Sequence, residues 1–340
     1  MGRPGVRRGS PRRRLVRGAG VASAGLAMWA LAVMACGSRT GLFTDEAFGV
    51  VTNGSDDATA RDGTRPPTTD ASFDVAIDAL PPIDSSTGVD ADRSDCPDAD
   101  GTFVYVVTAE GELFSFYPPG LTFRSVGPLV CPSTPGETPF SMAVDRRGVA
   151  YVLYTDGRLF RVSTATAACT ATTYRVNQLG FETFGMGFAS EGAGPAERLY
   201  VAENNFGPAS RGLGTIDTTS FVLSFVGPFV PPIPRAELTG TGDGRLFAFW
   251  PERTGPSGSR IAELDKRTGA VVAQSAVPIG RANDAFAFAF WGGDFWIFTS
   301  GGALGTEVSR YRPSDGTTTT PTTHPQTVVG AGVSTCAPQL

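Results

Sequence analysis

The sequence predicts an all-β domain of five repeated units, and three observations lead to that prediction. Short aromatic segments recur at a nearly constant interval after residue 100. The chain holds 43 Gly and 26 Pro among 340 residues, which interrupts it too often for long helices and suits short strands joined by turns. Hydrophobic residues make up 41% of the chain, enough to build a core for such a domain.

One aromatic residue can be aligned in each of the five repeats. The intervals between these anchor residues are 46, 49, 47 and 48, and the anchors are Tyr105, Tyr151, Tyr200, Phe247 and Phe295. A second strand-like segment follows each anchor at a similar period, at 112–116, 158–162, 212–216, 260–264 and 307–311. Because both series keep similar periods, the repeat is not one accidental match.

Two further strands complete most repeats. Preceding strands are predicted at 141–145, 185–189, 237–241 and 285–291, and fourth strands at 170–176, 221–227, 270–277 and 317–323. Four strands in about 45 residues match the size of a β-propeller blade. The first repeat lacks a preceding strand, which residues 328–336 can supply. The sequence therefore predicts a five-bladed β-propeller over 101–340, closed by the C-terminal strand. A β-sandwich or an open array of hairpins is the alternative, because WD and Kelch signatures are absent.

The amino terminus has the layout of an export signal. Residues 1–17 contain seven arginines and no acid, and residues 18–35 are uncharged and largely apolar. Val33-Met34-Ala35-Cys36 resembles the bacterial lipobox. The resemblance implies a signal peptide over 1–35, cleavage before Cys36 and lipid on its thiol. An uncleaved signal anchor and an ordinary cleaved signal are the alternatives.

Two further details of the amino terminus concern the export route and the membrane in which the protein is anchored. Pro11-Arg12-Arg13-Arg14-Leu15-Val16 also resembles a twin-arginine motif, so the general and twin-arginine export routes both stay open. Gly37 follows the lipidated cysteine where an inner-membrane retention signal has Asp. The resemblance therefore implies an exported, membrane-anchored protein of the outer membrane, on its periplasmic or cell-surface face.

Residues 36–100 are predicted to form a disordered acidic tether. Residues 37–100 carry thirteen Asp, one Glu and four Arg, with few aromatic residues. Such a segment cannot bury enough surface to offset its ordering entropy. The aspartates near its end do not form an EF-hand, because position twelve of loops starting at Asp90 and Asp98 holds Gly101 and Ala109. We predict no metal site and no cofactor.

Four cysteines remain after Cys36, and an even number in an exported chain predicts two disulfides. Cys96 and Cys336 flank the proposed ring closure, and Cys131 and Cys169 fall near the outer strands of neighbouring blades. We favour these two pairs, although four cysteines allow two other pairings.

The composition of the chain argues against nucleic-acid binding and against several kinds of catalysis. Residues 101–340 carry nineteen acids and seventeen basic residues without a basic stripe, which argues against nucleic-acid binding. The only histidine is His324, which weakens Ser-His and Cys-His catalytic interpretations. The predicted innermost strands are almost free of acids, whereas glycoside hydrolysis needs paired carboxyls. We therefore predict that the domain is not an enzyme.

Ligands of propellers usually bind at the face that carries the loops between second and third strands and between blades. Each polar residue there is also compatible with an ordinary surface role. The candidates are Glu182, Asn204, Asn205, Arg211, Glu237, Trp250, Asn283 and Asp284.

The whole chain resembles repeat lipoproteins of GC-rich Gram-negative bacteria. The lipobox, the stretch Cys36–Leu42, the acidic tether and the aromatic repeats carry the resemblance. It implies a lipid-anchored envelope protein with a binding or scaffold domain, whose partners are the membrane through Cys36 and an envelope protein or small ligand at one propeller face. A propeller hydrolase and an accessory lipoprotein of an outer-membrane assembly are the alternatives.

Overall fold

The computed structural model describes Gly2, Cys96 and residues 102–192, 194–204, 210–251, 258–279, 285–301 and 305–339. The chain divides into two units, Met1–Asp70 and Ala71–Leu340, and the described residues other than Gly2 belong to the second. The predicted signal peptide except Gly2, the lipidation at Cys36 and all of the predicted tether except Cys96 lie outside the described residues.

The described residues form five four-stranded antiparallel sheets, which are the blades of a propeller. Blade 1 contains β1 (Val104–Thr108), β2 (Glu112–Tyr117), β3 (Thr122–Pro128) and β20 (Val328–Val333). Blade 2 contains β4 (Pro139–Val144), β5 (Val149–Tyr154), β6 (Leu159–Ser163) and β7 (Cys169–Ala171). Blade 3 contains β8 (Phe184–Ser190), β9 (Glu197–Glu203), β10 (Leu213–Ile216) and β11 (Leu223–Gly227). Blade 4 contains β12 (Glu237–Gly240), β13 (Leu246–Pro251), β14 (Ser259–Leu264) and β15 (Val271–Val277). Blade 5 contains β16 (Ala285–Trp291), β17 (Asp294–Ser300), β18 (Thr306–Arg312) and β19 (Thr317–His324).

The predicted ring closure is confirmed. Strand β20 pairs antiparallel with β1, with Val333 opposite Val104 and Gly332 opposite Tyr105. Every aromatic anchor lies on the second strand of its blade, as the repeat predicts. Closing the ring in this way gives both ends of the repeat a hydrogen-bonded partner, which removes two exposed strand edges.

The sequence did not identify β3, the outer strand of blade 1. This strand carries Arg124 and ends at Gly127 and Pro128, and its residues are exposed or half-buried. An outer strand needs little apolar surface, because only its inner neighbour packs against it. Its sequence therefore lacks the alternation that indicates a strand.

Aromatic side chains fill the space between blades, while small residues bring the inner strands together. Phe247 of blade 4 and Phe295 of blade 5 are fully buried, with ring centroids 4.9 Å apart. On the inner strands, a Cβ atom on Gly330 would lie 2.7 Å from the backbone nitrogen of Met142, and one on Gly185 would overlap the carbonyl oxygen of Ala236. Glycine thus lets inner strands of neighbouring blades approach backbone to backbone.

Both favoured disulfides are present. Cys96 bonds to Cys336 with 5.9 Å between their Cα atoms, and Cys131 bonds to Cys169 with a Cα separation of 5.2 Å. The second pair joins the segment after β3 to β7, at the outer edges of blades 1 and 2. Structural disulfides of this kind are typical of proteins that fold outside the cytosol. Within the described part of the chain, no helix has the length and apolar character needed to cross a membrane.

Candidate functional site

The inner strands β20, β4, β8, β12 and β16 surround the axis of the propeller, and one carboxyl group lies among them. Glu237 begins β12 and is 4% exposed. The Ser141 hydroxyl donates a hydrogen bond of 2.7 Å to Oε2 of Glu237, and the backbone N–H of Met186 donates to the same carboxyl group. Burial raises the pKa of Glu237 well above its usual range. The group therefore joins the inner strands of blades 2, 3 and 4 rather than facing a ligand.

The C-terminal tail, Ser334–Gln339, covers one end of the central axis. This is the end at which first strands turn into second strands. A Cβ atom added to Gly242 of blade 4 would lie 2.5 Å from the Thr335 carbonyl oxygen. The backbone N–H of Gly292 in blade 5 donates to the Pro338 carbonyl oxygen at 2.8 Å. We call this the sealed end.

Charged groups of blades 2 and 3 hold the same tail. The guanidinium of Arg146, which is 3% exposed, donates to Thr335 Oγ1 and to Cys96 Sγ, both at 3.3 Å. The Thr335 hydroxyl donates to Glu197 at 2.9 Å, and the backbone N–H of Arg146 donates to the other Glu197 oxygen at 2.8 Å. Burial raises the pKa of Glu197 to about 7 and also raises the pKa of Asp145. At the sealed end, hydrogen bonds thus connect the tail to blades 2 and 3 and to Cys96.

The opposite end, which we call the loop face, carries the predicted ligand loops. Glu182 and Arg211 are exposed there, and Asn204 is 9% exposed. Glu237 is buried as described, and Trp250 is 6% exposed in the core between blades 3 and 4. Neither of these two is available as a loop ligand in this structure. The remaining candidates, Asn205, Asn283 and Asp284, lie outside the described residues.

An open cleft of about 270 Å³ lies on the loop face between blades 2 and 3, and we call it the blade 2–3 cleft. Its lining residues are Thr155, Asp156, Gly157, Val176, Asn177, Glu182 and Thr183. Of these, only Glu182 was among the sequence candidates. The others were missed because the cleft is formed by two loops that are separate in sequence, and no local motif marks their contact.

Two unusual backbone segments shape this cleft. Gly157 has φ +77, and a Cβ atom there would lie 2.9 Å from the Glu182 carbonyl oxygen, so only glycine allows the two loops to meet. Asn177 and Leu179 have positive φ values of 60 and 53, although neither is glycine. The Gln178 side chain between them stabilises the loop through two hydrogen bonds to the backbone of blade 3.

Those two bonds use both ends of the Gln178 amide. Its Nε2 donates to the Phe221 carbonyl oxygen at 2.9 Å, and its Oε1 accepts from the backbone N–H of Leu223 at 3.0 Å. Residues in sparsely populated backbone regions persist only where the surroundings hold them, and they are common at binding sites. The loop is therefore fixed in place before any ligand arrives.

Hydrogen-bond acceptors dominate the cleft. The carboxylate of Asp156 accepts from the backbone N–H groups of Thr134 and Arg158, each at 3.0 Å. Burial raises the pKa of Asp156, but these hydrogen bonds outweigh burial and leave its pKa below the usual value. In the described part of the chain, Glu182 and Asn177 have no side-chain hydrogen bond or ion pair. Both are thus available to a ligand.

Asn204 lies next to the cleft, because its backbone is hydrogen-bonded to Thr183 of the cleft lining. Asn204 donates its backbone N–H to the Thr183 carbonyl oxygen at 2.9 Å, and the Thr183 hydroxyl donates to the Asn204 carbonyl oxygen at 3.4 Å. The side-chain oxygen of Asn204 is buried and has no hydrogen-bond partner among the described residues. Buried polar atoms normally have a partner.

No protein-family model matches this sequence, and no curated protein matches it. Among solved structures, TolB from Acinetobacter baumannii is similar over 68% of this chain and 55% of its own, with 12% sequence identity and a TM-score of 0.40. A chain of the mitotic checkpoint complex is similar over 63% of this chain and 59% of its own, with 11% identity and a TM-score of 0.32. The extracellular domain of a hybrid two-component system from B. thetaiotaomicron is similar over 67% of this chain and 29% of its own, with 14% identity and a TM-score of 0.32. The chain thus spans little more than half the length of the first of these proteins.

Proposed function

We propose that this protein is a lipid-anchored component of the bacterial cell envelope whose propeller acts as a binding or scaffold domain. Lipid on Cys36 holds it at the outer membrane, and residues 36–100 form the tether. The two disulfides support a location outside the cytosol, because such bonds persist in oxidising compartments.

One observation carries the proposal. The tail that covers the sealed end is bonded through Cys336 to Cys96, which lies near the end of the proposed tether. Cys96 is thus held at the sealed end, and in this proposal the partner binds at the opposite end, on the loop face. A propeller whose axis is covered at one end suits binding better than passage of a substrate along the axis.

Binding is also favoured over hydrolysis by the state of the axial carboxyl. Acid–base hydrolysis of a glycosidic bond uses two carboxyl groups roughly 5–9.5 Å apart around an accessible substrate. Glu237 is 4% exposed, and its carboxyl group is engaged by Ser141 and Met186. A group held in this way serves the structure rather than a substrate.

Lipid attachment can be tested by expressing the full chain in a Gram-negative host with an alkyne-labelled fatty acid. We expect label on the wild type and on Ser38→Ala, but not on Cys36→Ser, because only the Cys36 thiol accepts the lipid. We also expect labelled protein in outer-membrane fractions. An unmodified peptide that runs through Cys36 in the wild type would show that the anchoring proposal is wrong.

A further inference from the structure

We infer that the Cys96–Cys336 disulfide is a redox switch for the C-terminal tail, which a dithiol reductant opens more readily than it opens Cys131–Cys169. In the oxidised protein this bond holds the tail over the sealed end. In the reduced protein only non-covalent contacts hold the tail, so it can leave the end of the axis. The inference concerns the sealed end and goes beyond the binding function proposed for the loop face.

The first argument is a buried cation beside one of the two sulfur atoms. Nη2 of Arg146 donates a hydrogen bond of 3.3 Å to Cys96 Sγ, and Arg146 is 3% exposed. A disulfide sulfur is a weak acceptor, whereas a thiolate at the same place carries a full negative charge next to the guanidinium. The contact therefore stabilises the reduced form more than the oxidised form, which makes the bond easier to reduce.

Two carboxyl groups near Arg146 oppose this effect only in part. Asp145 and Glu197 would repel a thiolate, but burial raises the pKa of Glu197 to about 7, so this group is partly protonated at neutral pH. The Asp145 carboxylate accepts from two backbone N–H groups of the turn that follows it, and Glu197 accepts from the backbone N–H of Arg146. The guanidinium is therefore the charged group that directly contacts the Cys96 sulfur.

The second argument is the contrast with the other disulfide. Cys131 and Cys169 are half-buried against the apolar core of blades 1 and 2. Within the described part of the chain, no group donates a hydrogen bond to either of their sulfur atoms. Apolar surroundings disfavour a thiolate. We therefore expect this second bond to resist reduction, and it serves as an internal reference.

The third argument is the way in which the tail is held. Apart from the disulfide, the tail is fixed by exchangeable hydrogen bonds, such as those from Arg146 to Thr335 and from Gly292 to Pro338. Cys96 is half-buried, whereas Cys336 is 6% exposed, so a thiolate from solvent reaches the Cys96 sulfur more easily. One accessible bond thus decides whether the tail is attached covalently.

The reaction is a thiol–disulfide exchange that consumes one dithiol. A thiolate of the reductant attacks Cys96 Sγ, the bond to Cys336 breaks, and Cys336 leaves as a thiolate that takes up a proton. The second thiol of the reductant then attacks the mixed disulfide, closes the oxidised reductant and expels the Cys96 thiolate beside Arg146. The protein gains two electrons and one proton, and the second proton of the dithiol goes to solvent.

The test uses the full-length chain in a non-ionic detergent, equilibrated at pH 7 with mixtures of reduced and oxidised dithiothreitol. Free thiols are alkylated, the remaining disulfides are reduced, and their thiols are alkylated with a heavier isotopic form of the reagent. Mass spectrometry of the cysteine peptides then gives the reduced fraction of each pair. We expect Cys96–Cys336 to be half-reduced at a reductant ratio at least tenfold lower than Cys131–Cys169, a difference of about 30 mV. Cys36 is in a separate peptide, so the result does not depend on lipid attachment.

Three variants test the role of the guanidinium. Arg146→Met removes the charge, so Cys96–Cys336 should need about tenfold more reductant, because a hydrogen bond to a charged group is lost. Arg146→Lys keeps a cation and should stay closer to the wild type. The control Arg147→Met changes the exposed neighbouring arginine and should titrate like the wild type. Cys131–Cys169 should be unchanged in all three variants, which separates a local effect from a loss of folding.

Release of the tail is measured by carboxypeptidase digestion at a reductant ratio that opens only Cys96–Cys336. The tail should be shortened faster in this state than in the oxidised protein. The inference is overturned if the two disulfides are reduced together or in the opposite order, if Arg146→Met titrates like the wild type, or if both redox states are digested equally fast. The order of reduction in the wild type decides the question even if a variant fails to fold.

Discussion

At the scale of single residues, the most informative groups are carboxyls that the fold buries. Glu197 and Glu237 both lose water on folding, but they do so at opposite ends of the axis. Glu197 fixes the tail at the sealed end, and Glu237 joins three inner strands. Each has a folded-state pKa above its usual value, so each favours the folded state more at acid pH than at neutral pH.

Glu197 should make stability depend on pH. Its pKa rises from 4.5 to about 7 on folding, so its stabilising effect is complete below pH 4.5 and is lost as the pH rises to 7. The shift corresponds to about 3 kcal/mol. Unfolding by denaturant at pH 4.5 and pH 8 should show that Glu197→Gln gains up to this amount relative to the wild type at pH 8. Equal pH profiles of the two proteins would contradict the assignment.

Burial raises the pKa of Glu237, so the folded state should favour its protonated form over its charged form. Glu237→Gln keeps the shape and an acceptor for Ser141, so we expect a free energy of unfolding at pH 8 equal to or above that of the wild type. Glu237→Ala leaves the Ser141 hydroxyl without its acceptor and opens a cavity, which should cost about 2–4 kcal/mol. A Gln variant as unstable as the Ala variant would mean that the charged form is required.

The different surroundings of Glu182 and Glu237 show what sequence reasoning can reach at this scale. Both stand where a loop meets a predicted strand, so both were assigned to the ligand face. Glu237 is buried against Ser141, which lies 96 positions earlier in the chain and donates a hydrogen bond to it. A pattern of neighbouring residues cannot reveal a contact over that sequence separation. Glu182 stays exposed because its neighbours along the chain form a turn rather than a strand.

At the scale of elements, each blade is specified by contacts that short-range patterns describe well. Aromatic anchors fall on second strands because these are covered by sheets on both sides, and the repeat makes that visible. The outer strands of blades 2 to 5 were predicted, but β3 of blade 1 was not, since its residues are exposed or half-buried and show no apolar alternation. The inner strands β8, β12 and β20 contain glycine where neighbouring blades approach closely, whereas β4 and β16 do not.

Replacing an inner-strand glycine should therefore destabilise the ring. A Cβ atom on Gly185 would overlap the Ala236 carbonyl oxygen, which is backbone and cannot move independently of blade 4. We expect Gly185→Ala to lower the free energy of unfolding by about 1–3 kcal/mol or more. The matched control is Gly120→Ala, whose Cβ would meet only the side chains of Tyr117 and Thr122. Similar unfolding curves for both variants would argue against backbone contact between inner strands.

The junction of blades 5 and 1 should weaken in acid. His324 ends β19, and the Phe114 and Phe123 rings of blade 1 lie with centroids 4.6 Å from its own. Burial lowers its pKa, although Gln326 and the carboxylates of Glu110 and Glu112 act in the opposite direction. The stabilising effect of neutral His324 is thus complete above pH 6.5 and is lost as the pH falls.

The corresponding variant is His324→Gln, which keeps an acceptor for the Gln326 N–H and does not titrate in this range. Between pH 7.5 and 5.5, the melting temperature of the wild type should fall more than that of His324→Gln. The effect should appear in thermal unfolding followed by circular dichroism. Parallel decreases in both proteins would assign the acid sensitivity to other groups.

At the scale of the whole molecule, the two disulfides act on loops of very different length. Cys96–Cys336 spans 240 positions and links Cys96 to the tail that follows the ring-closing strand, while Cys131–Cys169 spans 38 and links neighbouring blades. In the chain-entropy account, the longer loop restricts the unfolded chain more, so it stabilises the fold by about 5 kcal/mol against about 4 kcal/mol for the shorter one. The sequence favoured these pairs only because the predicted ring brought their positions together.

Removing each pair separately tests this ordering and the role of the sealed end. The double variants Cys96→Ser with Cys336→Ser, and Cys131→Ser with Cys169→Ser, avoid unpaired thiols. We expect the first to lose more free energy of unfolding, because it removes the longer crosslink and leaves the tail held only by non-covalent contacts, among them the hydrogen bonds of Arg146, Glu197 and Gly292. Carboxypeptidase digestion should shorten the first variant faster than the second. If the second variant proved less stable, or if both tails resisted digestion equally, the covalent bond to Cys96 would not be what keeps the tail over the axis.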